Sequence, residues 1–287
     1  MHGVDTRVRQ SGPMTSLTRP LNDGRTLPAI GLGTYGLRGD DGTASVVSAL
    51  ASGYRLLDTA LNYENEREVG EGVRASHLDR AEVAVTTKLP GRHHGFDETL
   101  RSFEESLGNL GLDYVDLYLI HWPLPAVDKY VDSWRAMIRL REEGVVRSIG
   151  VSNFTAAHLE RLVAETDVVP AVNQIELHPR FSQRELRGVH EKHAIVTESW
   201  SPLGSGVGRE SLVTGIAEAH GVTPSQVVLR WHLQLGAVPI PKSADEQRQR
   251  ENLDVVRFEL SDAEVEAISS LESGRLWDAD PETHEEF

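Results

Sequence analysis

What most constrains this chain is an alternation that recurs eight times along its length: a short apolar strand, then a longer amphipathic helical stretch. Strand-like segments lie around 30–33 and at 55–58, 82–88, 114–120, 145–151, 171–175, 194–200 and 237–240. A helix predicted over 97–109 aligns Leu100, Phe103 and Leu107, with Leu110 following on the same face. Thr223-Pro224 opens a further helix, with threonine as the cap and proline in the first turn. Ser261 and Glu264 are spaced as a capping box. Eight such alternations over residues 19–287 predict an α/β fold, the (β/α)8 TIM barrel. Asp23-Gly24 between two short extended pieces predicts an N-terminal β-hairpin. Stretches at 209–220 and 245–254 read as extra helices, and residues 19–287 as a single domain. Residues 1–18 are polar, lack the apolar run of a signal peptide, and read as a disordered leader.

Composition removes whole classes of function. The net charge of −15 opposes nucleic-acid binding, which needs a basic footprint. No apolar run approaches the roughly 20 residues of a membrane span. Cysteine is absent, which excludes disulfides and thiolate metal sites and suits a reducing cytoplasm. The pair His93-His94 has no further partner at ligand spacing, so no metal site is expected. The expectation is a cytoplasmic monomer acting on a small molecule, without membrane or nucleic acid.

Four polar residues stand where a barrel has its one open mouth, at or just past the carboxyl ends of strands. Asp58 ends the segment 55–58 and Lys88 ends 82–88. His121 follows 114–120, and Tyr63 lies in the loop after the first of these. A free tyrosine has a pKa of about 10. A lysine cation nearby lowers it and makes the phenol a better proton donor. Asp58 can supply the counter-charge that a partly desolvated lysine needs, and His121 can orient a substrate oxygen. Such a site protonates a carbonyl oxygen while hydride reaches the carbon. No side chain delivers hydride, so a nicotinamide cofactor is implied. Plainer readings stay open for each residue: a turn aspartate, a loop aromatic, a solvated lysine, a packed histidine. Spacing alone does not assemble them.

Gly31-Leu-Gly33-Thr-Tyr-Gly36 fits the glycine fingerprint of dinucleotide-binding sheets, with Asp58 downstream where a ribose-binding acid would lie. That fingerprint requires a helix to open at the last glycine. Here the first apolar helical run begins only at about Ala44, and such a sheet would not account for eight strands. The glycines therefore read as barrel-rim or loop residues.

At these residues the chain strongly resembles the aldo-keto reductase superfamily, from Leu21 to about Arg275. GYRLLDTALNYENEREVG (53–70) is similar to the family's first signature. The stretch from Gly95 to Pro123, ending in LGLDYVDLYLIHWP, is similar to the second. IPKSADEQRQREN (240–252) is similar to the third, which binds the cofactor's phosphate. The nearest branch is that of small bacterial reductases similar to 2,5-diketo-gluconic acid reductase. The resemblance implies a catalytic tetrad of Asp58, Tyr63, Lys88 and His121 and reduction of aldehydes or ketones with NADPH. It implies cofactor contacts by Thr34, by Ser152, Asn153 and Gln174 around the carboxamide, and by Trp200 stacked on the nicotinamide. Ser201 and Leu203 belong to the pyrophosphate loop, Lys242, Ser243 and Arg248 to the 2′-phosphate clamp, and Asn252 to the adenine. Ser243 and Glu246 are spaced as a capping box, so a helix amino end should meet the phosphate there.

Departures from the pattern bear on specificity. Asp245 stands where relatives often carry threonine or a basic residue. A carboxylate near the phosphate weakens NADPH binding by about 1 kcal/mol, which leaves NADH as a possible second cofactor. The same acid would suit a first helical turn. The tail after Arg275 is short, so the pocket is expected to be open, with Tyr35, Trp122 and Trp277 as its walls. Two other readings stay open: a nucleotide-sensing subunit with very slow turnover, and a barrel lyase or isomerase without nicotinamide.

Overall fold

A computed structural model describes residues 17–286. β1 (Thr18–Pro20) and β2 (Thr26–Pro28) pair antiparallel as the expected hairpin, Thr18 opposite Pro28. Thr18, the last residue of the expected leader, thus begins a strand; residues 1–16 lie outside the described residues.

The barrel wall is β3 (Leu32–Gly33), β4 (Leu56–Asp58), β5 (Ala84–Leu89), β6 (Val115–Ile120), β7 (Val146–Ser152), β8 (Val172–Glu176), β9 (Val196–Trp200) and β10 (Val238–Pro239). All eight expected strands are present, and no limit is displaced by more than two residues. Each pairs in parallel with its neighbour in sequence. The ring closes where Gly31 and Gly33 donate their N–H groups to the carbonyls of Pro239 and Pro241, at 3.0 and 3.1 Å. A Cβ on Gly33 would stand 2.9 Å from the Ile240 carbonyl oxygen. The first two glycines of the apparent fingerprint therefore serve barrel closure, and Gly36 sits in the following loop at φ 74°. Strand order also never reverses, as it does at the ligand crevice of a doubly wound sheet.

Helix α1 (Gly39–Ser52) begins five residues before the apolar run at Ala44. Asp40 and Asp41 lie in its first turn, where acidic side chains suit the positive end of the helix dipole. Helices α2 (Glu66–Ala75), α3 (Phe96–Leu110), α4 (Tyr130–Glu142), α5 (Ala156–Thr166) and α6 (Arg184–Lys192) follow β4 to β8 in turn. Between β9 and β10 lie α7 (Ser211–His220) and α8 (Pro224–Gln234); α9 (Glu246–Leu253) and α10 (Asp262–Ser269) come after β10. The two extra helices expected from sequence are α7 and α9.

Alternation along the strands sorts the side chains. Leu57, Val85, Tyr118 and Ile149 face outward and join Val46, Val69, Phe103 and Trp134 of the helices in the largest apolar cluster. The lumen has its own cluster, in which Leu56, Leu117, Val172 and Val238 meet Leu21 and Leu27 of the hairpin. The hairpin is also tied down by polar contacts. Asp23 Oδ2 accepts from Ser148 Oγ at 2.7 Å, and Asn22 Nδ2 donates to the Pro170 carbonyl at 2.9 Å. It stoppers the amino-terminal end of the barrel and leaves the carboxyl end as the mouth.

Candidate active site

Two residues above the aliphatic layer, the lumen turns polar. On β4 and β5, Asp58 lies opposite Thr86, so Lys88 is two positions further on the same face. Lys88 Nζ consequently reaches Asp58 Oδ1 at 2.7 Å and the Thr59 carbonyl at 3.0 Å. Both residues are buried, Lys88 completely. Burial alone would lower the lysine pKa, but Asp58 and Tyr63 outweigh it and hold it above the ordinary value. A single-turn helix at Leu61–Tyr63 carries the Tyr63 hydroxyl to 3.4 Å from Lys88 Nζ. The loop is braced by Asn65, which accepts from Thr59 Oγ1 and donates to the carbonyls of Thr34 and Leu37.

The Tyr63 phenol departs from the sequence expectation in sign. Burial raises its pKa, Lys88 lowers it, Asp58 opposes Lys88, and the net direction is upward. The desolvation of a phenol seated against the barrel lumen outweighs a cation whose charge Asp58 already balances. Tyr63 is thus a protonated donor at neutral pH. Its phenolate would face a lysine cation.

Across the lumen, Gln174 donates from Nε2 to Asp58 Oδ2 and to Glu198 Oε2, both at 2.8 Å. Glu198 is fully buried, and its Oε1 has no partner among the described residues. Burial and the nearby Asp58 carboxylate push its pKa up to about 8, against the opposing pulls of Gln174 and Lys88. With both amide hydrogens committed to the carboxyl groups of Asp58 and Glu198, Gln174 keeps its amide oxygen for the cavity it lines.

That cavity, about 490 Å³, opens at the mouth. It gathers Asp58, Tyr63 and His121 with Thr34, Tyr35, Trp122, Asn153, Gln174, Trp200, Ser201, Lys242 and Trp277. Lys88 reaches it only through Asp58 and Tyr63. Tyr35 stacks edge-on against Tyr63 with centroids 5.2 Å apart, and the His121 ring lies 5.9 Å from Tyr63 on another side. Gly33, Pro202, Ile240 and Ala279 line it as well and contribute apolar surface.

Loops after β7 and β9 supply most of the remaining expected contacts. Ser152 Oγ donates to the Gln174 carbonyl, and Asn153 Nδ2 donates to the His121 carbonyl and to Ser152 Oγ. Asn153 Oδ1 accepts from the Trp200 indole at 2.8 Å. These polar groups therefore lock the loops to one another and set the indole against the cavity. Ser201 sits there in a left-handed conformation, φ 50°. Leu203 lies off the cavity and packs on apolar clusters behind it.

The expected phosphate clamp is built differently at its cap. α9 is capped by Asp245, whose carboxylate accepts from the Arg248 N–H at 2.8 Å, and Ser243 is not the cap. Ser243 instead accepts from the Asp245 N–H and donates to the Asp245 carbonyl, a local turn that moves the helix start two residues on. Lys242 and Arg248 are exposed and make no ion pair among the described residues. Two uncompensated cations beside a helix amino end fit a phosphate. The Asp245 carboxylate at the same end opposes it. Asn252 is buried beside the Tyr54 hydroxyl, further along α9.

The tail contributes to the pocket wall, with Trp277 in the place expected of it. Leu276 N–H binds Glu176 Oε1 at 2.6 Å, and Ala279 and the exposed Trp277 line the cavity. His284 packs on Trp122 with centroids 4.1 Å apart. Glu286 Oε1 lies 2.6 Å from His121 Nδ1. Residues too polar to suggest packing in sequence thus cross the mouth, held one by one. Neither Glu198 nor Glu286 was expected at the site. An acid inside the strand VTESW was the available signal for the first; the second had none.

A family model described as the Aldo/keto reductase family matches residues 29–273. The chain is 60% identical to 2,5-diketo-D-gluconic acid reductase B of Corynebacterium sp. (strain SHS752001) over 94% of its own length and 98% of the relative's. To morphine 6-dehydrogenase of Pseudomonas putida it is 47% identical, over 91% and 93% of the two chains. It superposes with a TM-score of 0.84 on the Bombyx mori aldo-keto reductase solved in complex with NADP, at 35% identity over 89% and 92% of the chains.

Proposed function

The chain belongs to the aldo/keto reductase family, and from that premise we propose that it reduces aldehydes and ketones to alcohols with Tyr63 as the general acid. It is an NADP-dependent oxidoreductase of that family. When bound, NADPH supplies the hydride. The side chains do the rest. Tyr63 gives its proton to the carbonyl oxygen, and the phenolate left behind faces the Lys88 ammonium. Asp58 keeps that ammonium in place and charged. His121 orients the carbonyl oxygen beside Tyr63. Thr34, Asn153, Gln174, Trp200 and Ser201 hold the nicotinamide and pyrophosphate portions, Ser152 braces Asn153 from behind, Leu203 packs away from the cavity, and Asn252 takes the adenine. Lys242, Ser243 and Arg248 take the 2′-phosphate. Tyr35, Trp122 and Trp277 wall the substrate pocket.

The observation that carries this reading is the buried Asp58–Lys88 ion pair with the Tyr63 hydroxyl at its edge, at the base of a cavity. A desolvated ammonium is costly unless paired; Asp58 pairs it, and the Tyr63 hydroxyl stands where its phenolate would share that cation. NADPH is preferred because Lys242 and Arg248 are uncompensated. NADH is accepted more weakly, since Asp245 lessens the advantage of the extra phosphate. The relatives named above act on chemically distant substrates, so the test is a panel of aldehydes, diketones, keto acids and cyclic ketones. NADPH and NADH oxidation is followed by absorbance. Tight NADPH binding with no turnover on any carbonyl would overturn the reading in favour of a nucleotide sensor, and failure to bind NADPH would exclude nicotinamide chemistry altogether.

A further inference from the structure

We infer that Glu286, in the C-terminal tail, is a positioning residue for His121: its carboxylate holds the ring from behind and keeps the proton on Nδ1. Glu286 Oε1 is 2.6 Å from His121 Nδ1, a close ionic contact set off the hydrogen-bond line. The same oxygen accepts from Asn62 Nδ2 at 2.5 Å, and Oε2 accepts from the Gly91 N–H at 3.1 Å. Asn62 precedes Tyr63 and Gly91 lies three residues past Lys88, so the carboxylate is fixed by the loops that carry the tetrad. The Glu286 side chain is only 11% exposed. It is not part of the cavity lining, whereas His121 is. The carboxylate therefore stands on the far side of the ring from the cavity and does not plug it.

The tail is delivered there by separate anchors. Leu276 is bound to Glu176, Glu282 accepts from Thr155 Oγ1 at 3.1 Å, and His284 lies on Trp122. Burial alone would raise the Glu286 pKa, but His121, Asn62 and the Gly91 amide outweigh it and keep it below the ordinary carboxylate value. A carboxylate only accepts, so the Nδ1 that faces it carries hydrogen. A neutral ring has a single N–H. Once Nδ1 holds it, Nε2 offers a lone pair; with a second proton, Nε2 offers an N–H backed by a buried counter-charge. A carbonyl oxygen accepts only, so the ring orients it through a hydrogen on Nε2, and Glu286 faces the opposite nitrogen with its negative charge. A carboxylate that orients an imidazole and fixes its tautomer in this way is a recurrent device in catalytic and metal sites.

This inference rests on the carbonyl-reductase reading for its consequence but not for its test. The full-length protein, labelled with ¹⁵N-histidine, is compared with E286A and E286Q without substrate. In the wild type the His121 Nδ1 resonance falls in the protonated range. In E286A the carboxylate that faces Nδ1 is gone, the ring loses its fixed orientation, and the Nδ1 resonance moves toward the lone-pair range. Kinetically, E286A lowers kcat on a small aldehyde about tenfold and leaves the Kd for NADPH unchanged. In an H121A background the same substitution has no further effect, because its action passes through the imidazole. E286Q, which keeps the shape and the acceptor but not the charge, falls between. An unprotonated Nδ1 in the wild type, an unchanged kcat in E286A, or an equal loss in the H121A background would overturn the proposal. If E286A does not fold, E286Q carries the same measurements. Should no carbonyl be reduced at all, the function assigned above fails while the nitrogen shifts still decide the role of Glu286.

Discussion

A lysine that lies wholly inside a protein is legible in sequence only as a lysine at a strand end. Lys88, Asp58 and His121 could be picked out because barrel chemistry sits at carboxyl strand ends. Their meeting, however, depends on register: Asp58 opposite Thr86 sets Lys88 on the lumen face. Tyr63→Phe removes the proposed acid and nothing else. We expect kcat to fall by a factor of about 10²–10⁴ with NADPH binding, read by quenching of tryptophan fluorescence, unchanged. Turnover within tenfold of wild type would remove Tyr63 from its role. Glu198 gives a test by pH. Its folded-state pKa is raised to about 8, while an unfolded glutamate titrates at about 4.3. Between these values the folded state binds the extra proton, so stability falls as pH rises through the window. Urea midpoints should therefore drop from about pH 5 to about pH 8 more steeply in the wild type than in Glu198→Gln. Parallel profiles would contradict the assignment. The sequence offered Glu198 only as an acid among strand formers, and Glu286 only as one of several tail carboxylates. Burial that arises from distant packing leaves no local pattern.

Elements were easier to read than their ends. Hydrophobic periodicity places every strand of the barrel, but caps depend on competing hydrogen bonds one or two residues apart. Ser243 and Asp245 both fit the start of α9, and the serine's own turn hands the cap to the aspartate. α1 likewise begins at glycines and aspartates that carry no apolar signal. Asp245→Asn preserves a good cap and removes a negative charge from the clamp. The Kd for NADPH should fall about three- to fivefold, that for NADH should stay constant, and thermal stability should change by less than about 0.5 kcal/mol. Equal effects on the two cofactors would place the 2′-phosphate elsewhere. The packing of α2 on α3 is a second element-level test. Gly70 lies so near the end of α3 that an added Cβ would collide with the Leu110 carbonyl oxygen, a backbone atom that cannot rotate away. Gly70→Ala should destabilise the protein by about 1–3 kcal/mol or more, measured as a drop in Tm. An unchanged Tm would mean that the two helices separate freely.

At the scale of the whole molecule, the cavity is assembled from nearly every barrel strand, so cofactor binding should be felt globally. NADPH at 100 times its Kd should add about 2.7 kcal/mol to stability and raise Tm by several degrees. NADH at the same concentration should add less. A Tm unmoved by NADPH would mean that the nucleotide does not engage the folded barrel. The protein carries a net charge of −15, and against that background Lys242 and Arg248, which make no ion pair among the described residues, are the proposed landing place for the cofactor's phosphate. Their position follows from the seam. β3 and β10 meet through Gly31, Gly33, Pro239 and Pro241, residues separated by almost the full span of the chain. During synthesis the tetrad leaves the ribosome early, at His121, yet the ring that shapes its surroundings stays open until the polypeptide has passed residue 241. A nascent chain stalled before that point holds all four side chains of the proposed tetrad with no closed barrel around them, and the cavity waits further for Trp277 and Ala279 of the tail.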